Sequence, residues 1–146
     1  MNGADLLSIL YVEDNPQLRA MAKMALEVIG RFHVRGCSSG PTALLAASDF
    51  QPDLILLDVT TPRQVDGIAT LAQLRGCPHL LETPAMFITG AISAGEMAQY
   101  IAAGAVGIIA KPLEPMRLAA QLRELWHSQR QRRESVRQTP FLPVLA

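Results

Sequence analysis

Four polar clusters stand directly after short apolar runs in this chain. Glu13-Asp14 follows residues 6–12, Asp58 follows 53–57, Thr89 follows 84–88 and Lys111 follows 106–109. Three carboxylates converging in one crevice repel each other unless a cation joins them. An all-oxygen ligand set favours a hard ion, and Mg²⁺ commonly uses one or two carboxylates together with substrate phosphate. In-line attack on phosphorus by an Asp58 oxygen would give an aspartyl phosphate, a form of covalent catalysis. The transition state spreads negative charge over the equatorial oxygens, so positioning and electrostatics carry most of the work. Lys111 could neutralise one such oxygen and the Thr89 hydroxyl could donate to another, while small Gly90 and Ala91 leave room for the incoming group.

These groups can meet only if strand ends bring them together. Residues 6–12 form a continuous apolar run, which reads as a strand buried on both faces. Asn15-Pro16 then supplies a helix start, with Leu18, Met21, Ala22, Ala25, Leu26 and Ile29 at helical spacing and Gly30 as the stop. Residues 32–37 read as a weaker second strand, and Ser39-Gly40-Pro41 opens a second helix. The third strand covers 53–57, and Asp66-Gly67 begins a third helix, with Asp66 as its N-cap. Strand four spans 84–89, helix four 93–103 and strand five 106–109. The fifth helix follows Lys111-Pro112 and buries Leu118, Leu122, Leu125 and Trp126. Five strand–helix alternations with short connections predict an α/β fold, a doubly wound five-stranded parallel sheet flanked by five helices. Functional groups in such folds gather outside the carboxyl ends of the strands, where all four clusters fall.

Bulk properties narrow the class. The 146 residues suit one domain, and 49% apolar content can fill a core. Net charge is zero, which argues against direct nucleic-acid binding, although the distribution is uneven. Residues 1–126 carry 9 basic against 12 acidic side chains, net −3, and residues 127–146 carry 4 against 1, net +3. No signal peptide and no bilayer-spanning run is visible. Cys37 and Cys77 lack metal-site or disulfide spacing, so reduced thiols and a cytoplasmic location are expected.

Taken in order, the motifs resemble response-regulator receiver domains of two-component systems. The resemblance rests on Ile9-Leu10-Tyr11-Val12-Glu13-Asp14-Asn15-Pro16, on residues 54–58 with Pro62 and Asp66-Gly67, on Phe87-Ile88-Thr89-Gly90, and on Gly104-Ala105 leading to Lys111-Pro112. It covers residues 6–126 and implies a flavodoxin-like (CheY-like) fold. It further implies that Asp58 is the phosphoacceptor and that Asp14 and Asp58 bind Mg²⁺ directly. Glu13 would act through water and the Thr60 carbonyl would be a further ligand. Thr89 and Lys111 would contact the phosphoryl group, and the Lys111-Pro112 bond would be cis. The implied donor is a phosphohistidine on a sensor histidine kinase or phosphotransfer protein. The role is that of a signalling phosphoacceptor, with no enzyme activity beyond its own phosphorylation and dephosphorylation.

The chain departs from the family pattern in four places. The acidic pair is Glu-Asp where two Asp are common. The loop after Asp58 has one extra residue between Pro62 and Asp66-Gly67, with Thr61 where Met is frequent. Ile108 stands where a switching Tyr or Phe is usual, leaving open how phosphorylation would reach helix four, strand five and helix five. After Trp126 only roughly 20 residues remain, too few to fold an output module, so action by docking to a downstream target protein or by phosphorelay is expected. Residues 1–128 are therefore read as the receiver domain and 129–146 as a basic, proline-containing tail, a helix extension or disordered. A sharper reading makes the tail's arginines, with Phe141, Leu142, Val144 and Leu145, a partner or homodimer contact.

A competing function keeps the fold as a phosphorylation-independent adaptor. A haloacid-dehalogenase-type hydrolase is excluded because its second Asp would fall at Thr60. Dinucleotide binding is excluded because the first strand runs into acidic residues in place of a glycine-rich loop.

Overall fold

The computed structural model describes residues 8–59, 64–90, 93–134 and 144–145. Five parallel strands alternate with five helices. They are β1 (Ser8–Val12), α1 (Pro16–Val28), β2 (His33–Cys37), α2 (Gly40–Ala47), β3 (Leu54–Asp58), α3 (Gln64–Leu74), β4 (Ala85–Thr89), α4 (Ala94–Ala102), β5 (Ala105–Ala110) and α5 (Pro115–Glu134). A two-residue strand, β6 (Val144–Leu145), extends the sheet, whose order is β2-β1-β3-β4-β5-β6. The doubly wound architecture expected from the sequence is present, with β6 as an addition.

Burial explains why the strands are apolar throughout. Ile9, Tyr11, Leu54, Leu56, Met86, Ile88 and Ile109 point to one face, against Ala22 and Leu26 of α1 and Leu118, Leu122, Leu125 and Trp126 of α5. Leu10, Val12, Ile55, Leu57, Phe87 and Ile108 point to the other, against Ala43 of α2, Leu71 and Leu74 of α3 and Tyr100 of α4. A strand covered on both sides has no solvent face, so its polar–apolar alternation disappears. Winding starts from β1 in one direction to β2 and in the other to β3, which opens a crevice at the carboxyl ends of β1 and β3.

Several local expectations shift. Helix α1 has the cap expected of Asn15, whose side chain accepts from Gln17 and Leu18 N–H groups at 2.9 and 3.0 Å. The helix stops before Gly30, as expected, and Arg31 just beyond holds the left-handed conformation at φ 64°. Gly30 is needed for space, since a Cβ there would lie 2.7 Å from the Leu26 carbonyl oxygen. Leu18 and Ile29 of the predicted stripe are exposed. Asp66 is not the N-cap of α3, because the helix already begins at Gln64 and Asp66 falls within its first turn. Strand β5 carries one extra residue against β4, where Ala85 pairs with Ala105 and Met86 with Gly107. The carbonyl of the intervening Val106 accepts from Arg132 of α5 at 3.1 Å, so this basic residue binds the sheet. Among the described residues no helix is long and apolar enough to cross a membrane.

Gly67, inside the start of α3, is fixed by close packing. A Cβ on Gly67 would sit 2.7 Å from Val59 Cγ2, closer than side chains tolerate, so only glycine lets α3 approach the chain just after Asp58. Gly67→Ala is therefore expected to destabilise the domain by about 1–3 kcal/mol through overpacking. Denaturant unfolding checks this, and Val59→Ala in the same chain should recover part of the loss.

Candidate functional site

Each polar cluster is delivered by the end of a strand. Glu13 continues from β1, and its backbone N–H donates to the Cys37 carbonyl at 2.9 Å. Its side chain turns inward, leaving the residue 2% exposed. Oε2 accepts from the Asn15 N–H at 2.8 Å, and Arg19 of α1 donates to the Glu13 carbonyl at 2.7 Å. The capping turn of α1 thus aims the first acid. Asp58 ends β3, paired with Ile88 of β4, and its side chain is 3% exposed. Thr89 ends β4 and is fully buried. Lys111 follows β5, with its N–H bonded to the Thr89 carbonyl at 3.0 Å, and the Lys111-Pro112 peptide is cis.

These placements bring charges together. Lys111 Nζ lies 2.7 Å from Asp58 Oδ1, an ion pair whose direction does not align as a hydrogen bond. The same ammonium donates to the Val59 carbonyl at 3.1 Å, which holds it across the mouth of the site. Glu13 is within hydrogen-bonding reach of the carboxyls of both Asp58 and Asp14. Burial first, then the Asp58 carboxyl, pushes the Glu13 pKa up to about 8, against the opposing pull of the Asn15 N–H. Tyr11, fully buried and with no partner for its hydroxyl among the described residues, lies close enough to Asp58 and Glu13 that burial and then their charges raise its pKa above the usual phenol range. Asp14 is exposed at the rim. A cavity of about 350 Å³ opens beside Glu13, Asp14 and Asp58, walled by the start of α2 at Ser39-Gly40 and by Gly67 and Thr70 of α3. Thr60 and Ala91 lie outside the described residues.

The chain's similarity to known proteins agrees with this geometry. Residues 9–123 match the family model described as the response regulator receiver domain. The chain is a response regulator receiver domain. The receiver domain is 33% identical over 112 residues to the signal transduction histidine-protein kinase BarA of Escherichia coli, covering 77% of this chain and 12% of that protein. It is 33% identical over 122 residues to the response regulator PleD of Caulobacter vibrioides, covering 84% of this chain and 26% of that protein. Among solved structures it is similar to the chemotaxis response regulator CheY4 of Vibrio cholerae. There the TM-score is 0.72 and the identity 26%, covering 83% of this chain and 99% of that one. The receiver domain thus spans only a small part of these two curated relatives.

The donor set of the receiver domain suits a hard divalent cation. Among the described residues, Glu13 Oε1 and Asp58 Oδ1 are buried oxygens without hydrogen-bond donors, on carboxyls forced into contact. A cation between them would relieve the repulsion that raises the Glu13 pKa. Among the described residues no three His, Cys, Asp or Glu side chains already enclose one point, so carbonyl, water or phosphate oxygens would complete the shell.

The sequence reading overlooked Tyr100, whose hydroxyl donates to Thr89 Oγ1 at 3.0 Å. A signal for it existed, because a tyrosine on the apolar stripe of a helix needs a buried acceptor for its hydroxyl.

Because folding raises the Glu13 pKa from 4.5 to about 8, its contribution to stability is full below pH 4.5 and is lost as pH rises to 8. In metal-free buffer the melting temperature should therefore fall over this window. The fall should be smaller in Glu13→Gln, and thermal scans of the two proteins at a series of pH values would check it.

Proposed function

We propose that the domain accepts a phosphoryl group on Asp58 from a phosphohistidine of a sensor histidine kinase or phosphotransfer protein, in a Mg²⁺-dependent reaction. The observation that carries this reading is the buried carboxylate of Asp58, contacted by Lys111 at 2.7 Å beside a second buried acid. A structural ion pair alone would not require another carboxyl to be pressed against it. Membership of the receiver family supports the same chemistry, and similarity to a histidine-protein kinase supports a phosphohistidine donor.

In the transfer, an Asp58 carboxylate oxygen forms the O–P bond as the N–P bond to the donor histidine breaks. The imidazole leaves with the electron pair and takes up a proton. Lys111 balances charge on one transferring oxygen and the Thr89 hydroxyl donates to another. Bound Mg²⁺, held by Asp14, Asp58 and the Thr60 carbonyl with Glu13 acting through water, would draw phosphate oxygens towards carboxylates that otherwise repel them. The phosphorylated domain then signals by docking to a downstream protein or by passing the group on. The chemistry is confined to its own phosphorylation and dephosphorylation, in the cytoplasm. A second reading, a phosphorylation-independent adaptor, is favoured by one feature: Ile108 stands where the family usually carries an aromatic.

Incubation with Mg²⁺ and an acyl phosphate, followed by intact-mass measurement, decides between them. The wild type should gain one phosphoryl group and Asp58→Asn none; no gain on the wild type, where a control receiver is labelled, favours the adaptor. Asp14→Ala should lose labelling and Mg²⁺ dependence together. Lys111→Ala should keep its metal affinity, read by titration, while losing most of the response of the phosphorylated form.

A further inference from the structure

Helix α4 packs on the domain through Tyr100 and, less deeply, through the partly buried Met97. Among its residues only Tyr100 is fully buried, and that side chain reaches the phosphoacceptor machinery. The phenol donates to Thr89 Oγ1 at 3.0 Å, with both residues 0% exposed. The ring is held against Phe87, with centroids 4.7 Å apart and planes at 38°. Ile108 belongs to the same buried cluster but has no hydroxyl to take part. The ends of the helix are also defined. A capping box between Ser93 and Glu96 closes its start, and Gly104, at φ 96°, turns the chain into β5. A shift at Tyr100 is therefore passed to the helix as a unit.

We propose that Tyr100 is the positioning residue through which the state of Asp58 reaches α4, taking the coupling role that Ile108 cannot fill. The proposal rests on the phosphoacceptor reading of Asp58. With Tyr100 as donor, Thr89 Oγ1 accepts on that side, and in the phosphorylated state its own proton is directed to an oxygen of the group on Asp58. A hydroxyl that donates becomes a better acceptor, so the chain from phosphoryl to Thr89 to Tyr100 strengthens along its length. Phosphorylation then tightens the buried polar contact by which α4 meets β4.

The chain contains two tyrosines, Tyr11 and Tyr100, so a protein labelled with ¹³Cζ-tyrosine gives two signals that Tyr→Phe variants assign. On addition of Mg²⁺ and an acyl phosphate, the Tyr100 signal should move and amide exchange across Ala94–Ala102 should slow several-fold. Tyr100→Phe should gain the same phosphoryl mass yet lose the change in α4 exchange, and Thr89→Ser, which keeps the hydroxyl, should retain it. A Tyr100 signal that stays in place on a fully labelled wild type overturns the proposal, even if Tyr100→Phe does not fold. So does an α4 response of wild-type size in Tyr100→Phe. Absence of any mass gain on the wild type is a separate result: it removes the phosphoacceptor reading and this inference with it.

Discussion

The structure is organised around a contact that electrostatics opposes, the meeting of the Glu13 and Asp58 carboxyls in a buried crevice. Two like charges 4 Å apart repel by ~4 kcal/mol at the effective dielectric of a partly buried site. The fold offsets that repulsion with groups placed for the purpose. The Asn15 amide binds Glu13, the Lys111 ammonium faces Asp58, and Glu13 retains its proton to unusually high pH. Any one of these arrangements occurs in ordinary proteins. Their concentration at the ends of three strands costs stability, and the proposed phosphoacceptor role would account for that cost.

The surrounding elements can be understood as devices for holding that contact. A parallel sheet buried on both faces makes β1 and β3 stiff neighbours, so the acids at their ends cannot drift apart. The cap of α1 turns one acid inward, and the absence of a side chain at Gly67 lets α3 close against Val59. Val59 also lends its carbonyl to Lys111, so a single residue ties the third helix to the position of the counter-charge. Thr89 joins this network from β4 and extends it, through Tyr100, to helix α4.

Much of this was legible in the amino-acid order, for physical reasons. Strands buried on both faces must be apolar throughout, so residues 6–12 and 53–57 announce themselves, and the polar residue after each run has to lie at a strand end. Caps such as Asn15-Pro16 and Ser39-Gly40-Pro41 are equally local. What could not be read depended on distant pairing. The hydroxyl of Tyr100 finds Thr89 only because α4 packs over β4, and Arg132 finds the Val106 carbonyl only because β5 carries an extra residue. The cap assigned to Asp66 failed because α3 starts two residues earlier than the Asp-Gly pair suggests. Likewise the left-handed conformation after α1 falls on Arg31, whose residue type gives no sign of it.

The short strand β6 has a consequence of its own. Val144 and Leu145 lie parallel to β5, opposite Ile108 and Ile109, and occupy backbone groups that an outermost strand would otherwise present to passing chains. An incoming peptide seeking to lengthen the sheet there meets a resident competitor on the same polypeptide, at the high local concentration that covalent linkage provides. The polypeptide thus shields its own flank from promiscuous strand addition, and recognition at that flank is steered towards side-chain surfaces.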